Sequence, residues 1–196
     1  MNLIDRVKKI LLSPKEEWVV ISQETTTVTQ LCTGYLLLLA LIPAIAQFVK
    51  FGLIGYSIPF GGHMGGSIEL GIRYALIGYI NYVLGAFLSA FIIDALATSF
   101  GSQKNFTKAM QLVVYSYTAM MIASIFVLIP GLSILSIVGL YGLYLLYIGL
   151  APMMQTPEDK TVGYFVVSLL VIIVVYGVLA FALSALFIAN TVMSSM

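Results

Sequence analysis

Long apolar runs separated by short polar breaks make up most of this chain. From residue 109 to 154 no charged residue occurs, far more than the ~20 apolar residues of one bilayer crossing. Ile129-Pro130-Gly131 interrupts the run. Pro130 removes a backbone donor and Gly131 tolerates a left-handed cap, so one helix is predicted to end there and another to begin. Lipid cannot satisfy free backbone groups, so both arms must be helices, with Pro130 and Gly131 turning the hairpin. Three further apolar runs bring the predicted crossings to five: 31–49, 68–100, 109–129, 132–153 and 162–189. Polar breaks at 50–67, 101–108 and 155–160 separate them. At ~1.5 Å per residue the second crossing is about 50 Å long, so it must tilt, kink or leave the hydrocarbon. Pro43 is a predicted kink in the first.

The start of the chain differs. In residues 2–12, Leu3, Ile4, Val7, Ile10 and Leu11 follow helical spacing, while Asp5, Arg6, Lys8 and Lys9 lie mostly elsewhere. A basic helix with one apolar face lies in the interface plane. Pro14 ends it, Trp18 suits the headgroup level, and Thr25-Thr26-Thr27 offers helix caps. The expected fold is an all-α membrane protein: residues 1–30 form a cytoplasmic interfacial helix and linker, and residues 31–190 a five-helix transmembrane bundle.

Composition agrees. Of 196 residues 61% are hydrophobic and 9% charged, against roughly 25% charged in soluble domains, and mean hydropathy is +1.07. A net charge of +1 gives no reason to expect nucleic acid as a partner. Cys32 is the single cysteine, so no internal disulfide forms. With a cytoplasmic N-terminus, Arg6, Lys8, Lys9, Lys15, Lys104, Lys108 and Lys160 share that side, and Lys50 and Arg73 the other. The excess marks the cytoplasmic face and puts the C-terminus outside a cell membrane.

Two glycine series stand in register. Gly71, Gly78 and Gly85 recur every seven residues, and Gly139, Gly142 and Gly149 fall within about 80° of one another on a helix. Small residues on one face let membrane helices approach closely. Asp94 is the one acidic residue embedded in apolar sequence, and such residues pair or carry function; Lys104, Lys108 or a tyrosine hydroxyl are the expected partners. Asn81, Tyr115, Tyr117, Tyr141 and Tyr144 are the other members of a candidate polar network, with Tyr147 nearby. Glu69 and Arg73 stand at i,i+4 in the favourable order. His63 beside Met64 falls short of a metal's ligand count. No hydrolase, metalloprotease or phosphate-loop motif appears, so no catalytic residue, metal or cofactor is expected.

Several segments match a family in order and spacing. Ser13-Pro14 with Trp18, then Tyr115-Ser116-Tyr117, then Ile129-Pro130 followed by Tyr141-Gly142-Leu143-Tyr144 and Gly149, resemble the bacterial branch of the Yip family, the Ypt/Rab-interacting integral membrane proteins. The resemblance runs from Asn2 to about Phe187. It implies five crossings, a cytoplasmic N-terminus and a bacterial inner membrane, and supplies no catalytic residue. Where many members have proline after the Tyr-Ser segment, this chain has Ala119. Eukaryotic members carry a long cytosolic N-terminal region where this chain has residues 1–30, so small GTPase binding is not expected. The resulting expectation is a non-enzymatic protein that organises membrane or binds other membrane proteins, or itself. The alternative is a small transporter or channel with a polar path through Asp94 and the tyrosines of the third and fourth crossings.

Overall fold

The computed structural model describes residues 2–58, 62–129 and 132–194, without the side chains of residues 57, 58, 63, 133 and 179–194. Among the described residues seven helical segments carry the fold. Two short ones come first: α1, Leu3–Leu12, and α2, Pro14–Gln23. Five are long and apolar enough to cross a membrane: α3, Val28–Ile54; α4, Ile68–Phe100; α5, Phe106–Leu128; α6, Ile134–Met154; and α7, whose apolar window is Glu158–Val178 within a helix Glu158–Ser194.

Local chemistry sets the boundaries. Asn2 caps α1, accepting from the Ile4 amide at 3.1 Å, and Pro14 opens α2, where a missing N–H costs nothing. Thr27 and Gln30 form a reciprocal capping box at the start of α3. Asn105 caps α5 through the Lys108 amide at 3.1 Å. The first crossing is irregular: π-helical turns occupy Cys32–Leu36 and Val49–Ile54, and the regular helix breaks at Ala40, three residues before Pro43. These π turns carry the helix past Val49 into the segment the sequence reads as loop. The remainder of that loop pairs as a small hairpin, Tyr56–Ile58 with Gly62–Met64, Tyr56 opposite Met64. A glycine-rich segment without apolar period can still satisfy its backbone this way. Pro130 and Gly131, the expected hairpin turn, lie outside the described residues; α5 ends at Leu128 and Ser133 opens the next 3₁₀ turn.

The bundle is built for lipid. Its exposed surface carries Leu38, Ile45, Ile77, Leu84, Phe91, Leu170 and Ile173, while its centre holds small side chains such as Ala86, Ala90, Ala97 and Ala109. Close backbone approach supplies the packing that hydrophobicity cannot supply in lipid. At the Gly52–Gly71 crossing of α3 and α4, a Cβ on Gly71 would lie 2.7 Å from the Gly52 Cα. At one end, the loops after α4 and α6 are tied by Gln103 N–H to the Met154 carbonyl at 2.8 Å and Ser102 to Thr156 at 2.9 Å.

The N-terminal helices do not lie apart from this bundle. α1 and α2 fold back on each other and pack along α5 and α6. Trp18, expected among headgroups, is 1% exposed. The reason is a groove on α6 that only the tertiary structure makes: Gly149 leaves room for an indole.

Candidate functional site

The seat of the N-terminal hairpin is the most polar buried region the structure describes. Arg6 falls on the same helical face as Leu3 and Ile10, inside the apolar stripe rather than opposite it. Buried there, its guanidinium donates to Glu17 at 2.5 Å and to Glu24, and its Cζ lies 5.3 Å from the centroid of the Tyr115 ring. Glu17 is itself 4% exposed. A buried guanidinium is tolerable only when paired and hydrogen-bonded, and here two carboxylates and a π face share the task. The Tyr115 ring meets Trp18 and Tyr35 edge-on, at 6.3 and 4.8 Å between centroids, and the Tyr35 and Thr118 hydroxyls bond at 2.8 Å.

Lys108 closes the hairpin. Its ammonium donates to the carbonyls of Ser22 at 2.7 Å, Glu24 at 3.0 Å and Ile21 at 3.4 Å. A cation at a helix C-terminus satisfies otherwise unpartnered carbonyls and complements the dipole. Lys108 is therefore not the partner of Asp94. At the hairpin tip, the Tyr141 hydroxyl donates to the Leu11 carbonyl at 3.2 Å. Tyr141 and Gly149, where Trp18 packs, are eight residues apart on α6, about 12 Å at 1.5 Å per residue. The hairpin thus runs alongside the crossings instead of capping their end. Its outer face exposes Asp5, Lys8, Lys15 and Glu16 beside Ile4, Leu12, Val19 and Val20.

The candidate polar residues form separate groups, not one network. Tyr115 belongs to the Arg6 cluster. The Tyr117 and Ser89 hydroxyls bond at 3.0 Å between α5 and α4. Tyr141 holds the hairpin tip, with the Tyr144 ring tilted against it at 5.4 Å between centroids and Tyr144 41% exposed; Tyr147 packs on Phe165. Asn81 is exposed on α4 and joins none of these. Asp94 is buried near Tyr164, whose hydroxyl donates to the Ile93 carbonyl at 2.5 Å. It forms no ion pair among the described residues, and its Oδ1 has no hydrogen-bond partner there. Gln111, Ser116 and Ser168 are likewise buried with unpartnered side-chain atoms. An apolar-looking run hides such residues, because one amide or hydroxyl barely changes its hydropathy.

The glycines face neighbours. A Cβ on Gly142 would lie 2.7 Å from the Ser116 carbonyl oxygen, and one on Gly139 3.3 Å from the Met120 Cα. Gly78 lies under the Gln47 amide and Gly85 under the Tyr176 hydroxyl. Exposed Glu69 and Arg73 approach to 3.4 Å.

Two cavities matter. One of about 140 Å³ lies among α4, α5, α6 and α7, lined by Ser89, Ser116, Tyr117 and Gly142. Ile93 reaches it; Asp94 is not among its lining residues. A cleft of about 610 Å³ opens at the opposite end of the bundle from the Lys108 contacts. Among the described residues no three His, Cys, Asp or Glu side chains converge as metal ligands; the side chain of His63 lies outside them.

In comparison with known proteins, the family model described as Yip1 domain matches residues 8–194. No curated protein and no solved structure matches the chain.

Proposed function

The chain belongs to the Yip1 domain family, and from that premise we propose that this multi-pass membrane protein is non-enzymatic and organises the bilayer or holds other membrane proteins. The observation that supports this reading is the docked hairpin. Its inner face is spent on Trp18, Arg6 and Ile10, and its outer face offers charges and apolar side chains side by side. An amphipathic element of that kind puts its apolar side chains into lipid and carries its charges toward the headgroups. Fixed to the bundle, it widens the protein on one side of the bilayer only. The proposal includes a bacterial cell membrane, a cytoplasmic N-terminus and an external C-terminus, supported by the seven-to-two distribution of Lys and Arg.

The test is reconstitution into liposomes at rising protein density, with vesicle diameters measured by cryo-electron microscopy. Diameters are expected to fall with protein density, and to fall less for Lys8→Glu/Lys15→Glu. Diameters indifferent to protein density, together with no cross-linked oligomer or partner, defeat the proposal.

A second reading is a small transporter. The buried polar atoms of Asp94, Gln111, Ser116 and Ser168, unpartnered among the described residues, favour it, since ionisable groups inside a membrane mark ion paths. Reproducible proton or cation flux above empty liposomes, lost in Asp94→Asn, establishes this reading in place of the first.

A further inference from the structure

The 610 Å³ cleft lies between α3, α5 and α6, with Tyr82 of α4 also on its wall. Its size falls in the ~300–1,000 Å³ range of small-molecule sites. Met120, Ile137 and Leu140 make it mainly apolar, and among the described residues Lys50 is the one charged side chain that lines it. Lys50 lies near the Ile54 end of α3. Among the described residues it has no ion pair and no side-chain hydrogen bond, whereas Arg73, also at this end, is matched by Glu69. A lysine at the edge of a span carries its charge to the interface on an apolar stem. Uncompensated by the protein, that charge selects an anion. The apolar walls below it select a ligand that is mostly hydrocarbon. Gln47, also on the wall with its amide over Gly78, adds a polar group one turn from Lys50.

We propose that this cleft binds an anionic phospholipid, its phosphate on Lys50 and an acyl chain between α3 and α6. The inference is independent of the role assigned to the N-terminal hairpin, which packs elsewhere.

Purified full-length protein in mild detergent is titrated with phosphatidylglycerol or phosphatidylcholine of identical chains, with bound lipid counted by native mass spectrometry and thermal unfolding followed in parallel. Phosphatidylglycerol is expected to be retained preferentially. Lys50→Gln should lower that preference about fivefold, the factor one lysine near an anionic headgroup carries. Lys50→Arg should keep it, and Lys104→Gln, exposed in the loop tied to Met154 at the other end of the bundle, should leave it unchanged. Ile137→Trp, filling the cleft from an exposed position, should release both lipids. Equal retention of the two lipids by the wild type overturns the proposal, and that comparison needs no variant to fold. A preference that survives Lys50→Gln overturns it too, as does equal protection by free glycerol phosphate, which makes the site one for a soluble anion.

Discussion

Trp18 rests against Gly149: a Cβ on that glycine would lie 2.7 Å from the indole Cε2 and 2.5 Å from Leu112 Cδ1. The contact joins residues more than a hundred positions apart and seats the whole N-terminal hairpin. Because the indole is buried, Trp18→Ala should lose about 3–5 kcal/mol. Gly149→Ala should lose about 1–3 kcal/mol by overpacking. Thermal unfolding in detergent reads both. The double variant Trp18→Phe/Gly149→Ala should be less unstable than the sum of its parts, because the smaller ring yields space to the new methyl. Strict additivity would show that the two residues do not share one space.

Arg6 has its own signature. Arg6→Met leaves the buried Glu17 carboxylate without its cation, and breaking such a pair costs about 3–5 kcal/mol. Adding Glu17→Gln should recover part of that loss. A coupling energy near zero in the Arg6/Glu17 double-mutant cycle would place the pair in solvent.

Gly142→Leu should destabilise more than Leu143→Ala. The Cβ alone would press 2.7 Å from the Ser116 carbonyl, a backbone atom that cannot swing aside, and overpacking costs about 1–3 kcal/mol. Leu143 is half-buried on the 140 Å³ cavity, where truncation enlarges existing space. The reverse ranking of melting temperatures would remove Gly142 from the α5–α6 contact.

Orientation is open to labelling. In a Cys32→Ser background, a membrane-impermeant maleimide applied outside intact cells should reach Gly65→Cys and spare Lys104→Cys. Gly65 has open space around its Cβ position, and Lys104 is exposed, so burial protects neither. Labelling of Lys104→Cys alone would invert the bundle in the membrane.

Asp94→Asn should leave the protein folded. Among the described residues the Oδ1 atom has no hydrogen-bond partner to lose, and the amide keeps the size and an acceptor near Tyr164. A melting temperature several degrees below wild type would mean that the carboxylate's charge is held by a group not evident in the packing.

The sequence by itself determined the class and the number of helices long and apolar enough to cross a membrane. Length and hydropathy settle both because a bilayer admits only segments that satisfy their own backbone. Gly142 and Gly149 stand out because they interrupt long side chains on one face. The sequence did not tell which polar residues meet. Asn81 and Asp94 both read as buried polar groups in α4, yet one faces outward and the other inward, because a helix that is apolar all round shows no preferred side. Arg6 read as a solvated charge, and a charge on a short helix stays one unless another element brings a carboxylate. Folding α1 back on α2 brings Glu17 and Glu24, and the tertiary structure adds the Tyr115 ring, the Gly149 recess and the Lys108 clamp. Only when these distant segments pack together does the inner face of the N-terminal hairpin become part of the buried core.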